Sequence, residues 1–181
     1  MGKHLTLILG GARSGKSAYA EQYCKQRGEQ VLFVATATAS DDEMKQRIAN
    51  HRASRPPDWL TLEAPRRVGQ ALRGVPPTPL VLLDCLTLLA SNILLSMPEE
   101  VEERDYQRAL DEEIDELLAA YESHPGEWLI VSNEVGLGLV PPYRLGRLFR
   151  DGLGRANQRL AAAADTVLLM VAGIPLRVKG E

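Results

Sequence analysis

Gly10-Gly11-Ala12-Arg13-Ser14-Gly15-Lys16-Ser17 decides how this chain of 181 residues folds. The stretch fits G-x-x-x-x-G-K-[ST] at every fixed position. Its surroundings fit as well: the apolar run His4 to Leu9 reads as a strand before it, and Ser17 to Arg27 carries good helix formers after it. Glycines let backbone N–H groups curl around phosphate oxygens, and the helix N-terminus adds partial positive charge. Lys16 would reach the outer phosphates, and the Ser17 hydroxyl would ligate Mg²⁺. A strand-to-helix turn that merely contains glycines is the plainer alternative; pattern and context together favour the phosphate loop.

Working outward, strands and helices alternate. Gln30 to Thr36 is a β-branched run, and Ser40 opens a helix through the capping-box pattern Ser40-x-x-Glu43. That helix runs to about residues 51–54 and must stop before Pro56 and Pro57. Trp59 to Glu63 alternates like a strand, and Pro76, Pro77 and Pro79 mark a loop before the buried strand Leu80 to Asp84. Leu86 to Leu95 and Glu102 to Ser123 read as helices, and Trp128 to Ser132 as a strand. Arg144 to Ala164 is helical, with Gly152 and Gly154 as candidate breaks. Thr166 to Ala172 reads as a strand and Leu176 to Lys179 as a last short one. Such alternation predicts an α/β chain with a mainly parallel sheet flanked by helices on both faces; with the phosphate loop, the expectation is a P-loop NTPase fold of the RecA-like kind. The length suits one domain over residues 1–181.

Composition removes several classes of function. At 45% hydrophobic and 25% charged, the profile is globular rather than disordered or fibrous. Aromatics make up 5%, so the core must be aliphatic, and an aromatic platform for single-stranded nucleic acid is excluded. A net charge of −3 also argues against a nucleic-acid partner. Cys24 and Cys85 read as reduced packing residues, and His4, His51 and His124 lack metal-ligand spacing. The apolar stretch Leu80 to Met97 is interrupted by Asp84, Thr87, Ser91, Asn92 and Ser96, which argues against membrane insertion. A cytoplasmic location is the expectation.

Two further features bear on chemistry. Asp84 ends the apolar strand Leu80 to Leu83, where a second Mg²⁺-positioning carboxylate would lie; a simple cap for the following helix is the alternative. Charge is also segregated. Between residues 45 and 73, Lys45, Arg47, Arg52, Arg55, Arg66, Arg67 and Arg73 stand against only Asp58 and Glu63. Between residues 99 and 122, acids dominate over Arg104 and Arg108, as expected for a solvated helix face. His51 lies within the basic block, on one helix face with Met44 and Ile48 by spacing. It reads either as a surface histidine at a helix C-terminus or as a nucleophile toward phosphorus, with nearby arginines keeping it neutral. Spacing leaves both open.

The segments GGARSGKS, VATA (34–37), DDEMKQRIANHRASRP (41–56), WLTLE (59–63), LLDCLTLLASN (82–92), VSNEVGLGLVP (131–141) and NQRLAAAAD (157–165) follow one another in a distinctive order. Together they resemble the bifunctional adenosylcobinamide kinase/adenosylcobinamide-phosphate guanylyltransferase family, over nearly the whole chain. The resemblance implies phosphorylation of adenosylcobinamide by a nucleoside triphosphate, ATP or GTP. It then implies transfer of GMP from GTP to the resulting phosphate through a guanylylated histidine, which matches His51. It places Gly10 to Ser17, Ala35, Thr36, Ala37, Arg52, Ala53, Ser54, Arg55, Glu63 and Asp84 around the nucleotide. It also implies a homotrimer. Glu134, near the end of the strand Trp128 to Ser132, could deprotonate the substrate hydroxyl or be structural.

Three alternatives stand beside this one. An unrelated P-loop small-molecule kinase would form no covalent nucleotide. A GTP switch would need N-K-x-D, which is missing, and Asp151-Gly152-Leu153-Gly154 fits D-x-x-G only inside a helix. A nucleic-acid motor conflicts with the charge and the scarcity of aromatics.

Overall fold

Seven strands make one sheet in the order β3-β2-β4-β5-β1-β6-β7 in the computed structural model, which describes residues 2–38, 42–53 and 55–180. Side chains in the second helix are described at 42, 45, 46, 49, 52 and 53. The strands are β1 (His4–Gly10), β2 (Val31–Ala35), β3 (Leu60–Glu63), β4 (Leu80–Asp84), β5 (Glu127–Val131), β6 (Thr166–Val171) and β7 (Ile174–Lys179). The helices are α1 (Lys16–Arg27), α2 (Asp42–Ala53), α3 (Val68–Leu72), α4 (Leu86–Leu95), α5 (Glu103–Ser123) and α6 (Arg144–Ala163). Every pairing is parallel except β6 with β7. β5 lies between the strand that leads into the glycine-rich turn and the strand that ends in Asp84. This is the α/β arrangement expected from the alternation, a mainly parallel sheet with helices on both faces.

The central strands are apolar on both faces because both faces are covered. In β4, Leu80, Val81, Leu82 and Leu83 are fully buried. Period-two alternation sends Val81 and Leu83 to the face packed by α3 to α6, with Leu5, Leu7, Trp128 and Ile130. Leu80 and Leu82 go to the other face, with Ile8, Phe33 and the α1 residues Ala20 and Cys24. α4 buries Leu86, Leu89, Ala90, Ile93 and Leu94. Each large side chain there contributes about 1.5–3 kcal/mol by leaving water.

Four details differ from the sequence expectation. Between β3 and the loop at Pro76 to Pro79, where the sequence reading assigned no element, lies the short helix α3. The N–H groups of Arg67 and Val68 at its start donate to the Glu113 carboxylate of α5, at 2.8 and 2.7 Å. Five residues carry too little periodicity to announce a helix, and the cap comes from a distant segment. Gly152 and Gly154 do not break α6. A Cβ at Gly152 would come within 2.5 Å of Tyr106 Cε1, so this glycine permits close approach of α6 to α5. The acids of α5 are not simply a solvated face: Arg155 pairs with Glu103 at 2.9 Å, and Arg159 with Asp111 at 2.9 Å and with Asp115. Finally, the last strand begins at Ile174 and is antiparallel. Ser40, and with it the capping box, lies outside the described residues. Among the described residues, no helix is long and apolar enough to cross a membrane.

Candidate functional site

Parallel strands end at one edge of the sheet, and the crevice beyond their carboxyl ends is where such folds gather ligands. Here the register puts Ala35 opposite Asp84, and Asp84 opposite Val131, which also faces Ile8 of β1. The turn Gly11 to Gly15 leaves β1 at that edge and enters α1 at Lys16. Positive φ angles at Gly10 (154°), Arg13 (57°) and Gly15 (95°) fold it tightly. A Cβ at Gly10 would lie 2.6 Å from Ser14 Oγ and 2.7 Å from the Met170 carbonyl, so only glycine fits there.

α1 starts without a side-chain cap, since its N-cap is Gly15, and no acid stands in its first turn. Its first N–H groups and its positive dipole end are therefore available to an anion. Lys16 is 7% exposed, and its Nζ donates to the Gly11 carbonyl at 2.6 Å. Burial lowers its pKa below that of an ordinary lysine, while Cys85 and Asp84 pull it back up. Asp84 thus lies close enough for its charge to act on the Lys16 ammonium. Gly11, Ala12 and Arg13 are exposed, while Ser14, Gly15 and Ser17 are half-buried.

The wall opposite is a hydrogen-bonded clamp. Buried Thr36 donates through Oγ1 to the Cys85 carbonyl at 2.7 Å and accepts from the Cys85 N–H at 2.9 Å. This locks the exit of β2 to that of β4. Asn92 of α4 donates to the carbonyls of Thr36, at 2.8 Å, and Pro65, at 3.0 Å. Ala35 and Ala37 flank Thr36 and are half-buried. Burial, then Asp84, pushes the Cys85 thiol up to about 11, so Cys85 is an inert neutral group. The sequence placed no weight on Asn92 in this role. Its signal was a carboxamide inside an otherwise apolar helix, which must find partners when half-buried.

The third component follows α2. His51 lies in the last turn of that helix, with Arg52 and Ala53 exposed behind it; Ser54 lies outside the described residues. Arg52 pairs with Glu63 at the end of β3. Arg55 lays its guanidinium over the Phe33 ring, 3.4 Å from the centroid. Its Nε and Nη1 are buried and have no hydrogen-bond partner among the described residues. Burial lowers its pKa, while Glu21 and Asp84 raise it. The fold therefore brings the glycine-rich turn, Lys16, Ala35 to Ala37, Asp84 and Arg55 together. Glu63 stands further out, at the end of the edge strand β3, which β2 separates from β4, and Arg52 of α2 pairs with it there. A bare helix N-terminus, a buried lysine, a guanidinium with unsatisfied donors and one carboxylate suit a polyphosphate with its cation.

The family model described as cobinamide kinase / cobinamide phosphate guanyltransferase matches residues 6–178. This chain belongs to that family. It is 43% identical over 181 residues to the bifunctional adenosylcobalamin biosynthesis protein CobU of Salmonella typhimurium, with 97% of this chain and 99% of the relative covered. The Escherichia coli CobU is 42% identical with the same coverage. CobP of Pseudomonas aeruginosa is 44% identical over 176 residues, covering 97% of each chain. The crystal structure of the RadB recombinase is also similar, at 16% identity and a TM-score of 0.49, covering 93% of this chain and 74% of that one. As a cobinamide kinase/guanyltransferase the chain is an enzyme that binds a nucleotide.

Proposed function

We propose that this chain performs two successive transfers in cobalamin nucleotide-loop assembly. It phosphorylates the aminopropanol hydroxyl of adenosylcobinamide with ATP or GTP. It then moves GMP from GTP onto that phosphate through a guanylyl-histidine at His51, giving adenosylcobinamide-GDP and pyrophosphate. The observation that carries this proposal is the family match over residues 6–178, on a chain whose sheet gathers Lys16, Asp84 and Arg55 at one crevice.

In the first transfer, the turn Gly10 to Ser17 wraps the phosphates with backbone N–H groups, and Lys16 neutralises charge on the outer ones. The substrate oxygen bonds to the γ-phosphorus as the β–γ bridging bond breaks, leaving the nucleoside diphosphate. Ser17 and Asp84 offer hard oxygen donors suited to Mg²⁺, an ion that keeps several waters and phosphate oxygens in its shell. When bound, it supplies charge neutralisation to the phosphates. In the second transfer, a neutral His51 ring nitrogen bonds to the α-phosphorus, and the α–β bridging bond breaks to release pyrophosphate. An oxygen of the corrinoid phosphate then displaces the ring nitrogen. Ala35, Thr36, Ala37, Arg52, Ala53, Ser54, Arg55 and Glu63 would surround the guanine nucleotide. The turn holds the phosphates fixed, so reaching the α-phosphorus falls to movement of α2. Assembly as a homotrimer belongs to the same proposal.

Incubation with α-labelled GTP tests it: the label should become protein-bound, acid-labile and stable to base. His51→Ala should abolish the adduct while the kinase reaction persists. An adduct retained in His51→Ala would falsify the histidine assignment, and no adduct in the natural sequence would favour a P-loop kinase without a covalent step.

A further inference from the structure

The segment after β5 holds a set of side chains that the nucleotide does not use. Leu137 is 86% exposed, Leu139 97%, Val140 65% and Tyr143 78%. Folded chains rarely gather so many large apolar groups on one short loop without a partner. The loop is also held in shape. At its start the Glu134 N–H donates to the Gly10 carbonyl at 3.0 Å, and Asn133 N–H donates to Thr87 Oγ1 at 2.8 Å. Glu134 Oε1 then accepts from Gly136 N–H at 2.5 Å, turning the chain outward. At its end Arg147 donates to the carbonyls of Pro141 and Pro142, at 3.1 and 2.8 Å. Exposed leucines on a pinned loop are ready for a ligand, because ordering costs little on binding.

Its position selects the ligand. β5 runs between β1 and β4, so the loop emerges between the Lys16 turn and Asp84. The bond from Glu134 lands on Gly10, beside Gly11, whose carbonyl receives Lys16 Nζ. That is the outer-phosphate end of the turn, where an acceptor hydroxyl must arrive. Leu137 follows Glu134 by three residues, a reach of at most about 11 Å. We propose that Val135 to Tyr143 is the acceptor platform, on which Leu137, Leu139, Val140 and Tyr143 cover the apolar face of the corrin macrocycle while its hydroxyl arm enters between Lys16 and Glu134. This rests on the corrinoid reading above and names the surface that reading left unassigned. A second apolar strip, Ile174 and Leu176 of β7, reaches the turn at Ser14 through the Gly173 N–H, at 2.9 Å. It lies beyond β6, on the opposite side of β1 from β5, and is not part of the platform.

The test uses the full chain carrying Leu137→Ser and Leu139→Ser together, beside a control carrying Ile174→Ser and Leu176→Ser. Equilibrium dialysis of the coloured adenosylcobinamide and initial-rate kinetics are read in parallel. The platform variant should weaken corrinoid binding and raise its KM by about tenfold or more. Its KM for nucleotide and its labelling by α-labelled GTP should stay as in the natural sequence, and the control should match that sequence throughout. Corrinoid affinity retained within about twofold in the platform variant overturns the proposal, as does loss confined to the control. A shifted gel-filtration volume for the platform variant overturns it too, assigning the face to a second copy of the chain. Failure of the natural sequence to bind or phosphorylate adenosylcobinamide would instead defeat the underlying functional reading, before any variant is compared.

Discussion

The glycine-rich turn and the α2 segment bring charge to the same crevice in opposite ways. The turn is continuous with β1 and α1, both packed against the buried sheet, and Lys16 is tied back to the Gly11 carbonyl. Its neighbour Asp84 ends a strand whose other four residues are fully buried. α2 instead shows solvent-exposed Lys45, Ala49, Arg52 and Ala53, and is tied by side chains at its end, through Arg52 to Glu63, and just beyond it, through Arg55 to Phe33. The half with the glycine-rich turn is fixed by backbone and core; the half bearing His51 is fixed by side chains at its exit. Chemistry at two phosphorus atoms of one nucleotide suits that division, since one part must hold still while the other approaches.

Breaking the fixed half should have the largest effect. Lys16→Ala should slow both transfers by about 10²–10³-fold or more, as loss of a preorganised charge contact does, while a thermal melt stays near that of the natural sequence. A graded version uses pH. Because burial lowers the Lys16 pKa, the ammonium is present at low pH and lost as pH rises through a value below 10.5. GTP affinity measured by titration should therefore fall on the alkaline side earlier than an ordinary lysine would allow, and Lys16→Arg should move that fall upward.

The clamp between β2 and β4 comes next. Thr36→Val removes both bonds to Cys85 and leaves its N–H unpaired, a cost of about 1–3 kcal/mol for that group, while its carbonyl keeps the Leu89 N–H at 3.3 Å. The urea midpoint should drop with the slope unchanged. A smaller effect, of opposite sign for stability, is expected in the α2 half. Arg55→Met keeps contact with Phe33 and removes buried donors that lack partners among the described residues, so stability should hold or rise. GTP affinity should fall in the same variant, and unchanged affinity would detach Arg55 from the nucleotide. Smallest of all, Arg52→Ala breaks an exposed ion pair, worth about 0–1 kcal/mol in a chemical denaturation curve.

Much of the fold was legible because the signals are local. The turn motif, the apolar run Leu80 to Leu83 and the mostly apolar helix after it each announce themselves within a few residues. α3 was not legible, because its N–H groups are satisfied by Glu113, more than forty positions away. Gly152 looked like a break for the converse reason: its meaning depends on Tyr106 of another helix. In the site, Lys16 and Asp84 follow from motif and strand position. Arg55 was one arginine in a basic block until Phe33 and Asp84 set it apart.

The sequence by itself determined the alternation of elements, the phosphate-binding turn, the family and the scarcity of aromatics. These depend on residue order over short windows, where glycine geometry, apolar period and helix propensity act directly. Tertiary structure alone decided which charges meet. Strand order inserts β5 between β1 and β4, and so brings the loop after β5 to the Gly10 end of the turn, where the Glu134 N–H donates to the Gly10 carbonyl. Packing buries Lys16 and Arg55 beside Asp84 while leaving Arg52 and Glu63 in solvent. The net charge of −3 could not distinguish them, because the strength of a charge's interactions depends on its burial and its neighbours, and both are set by contacts between distant segments.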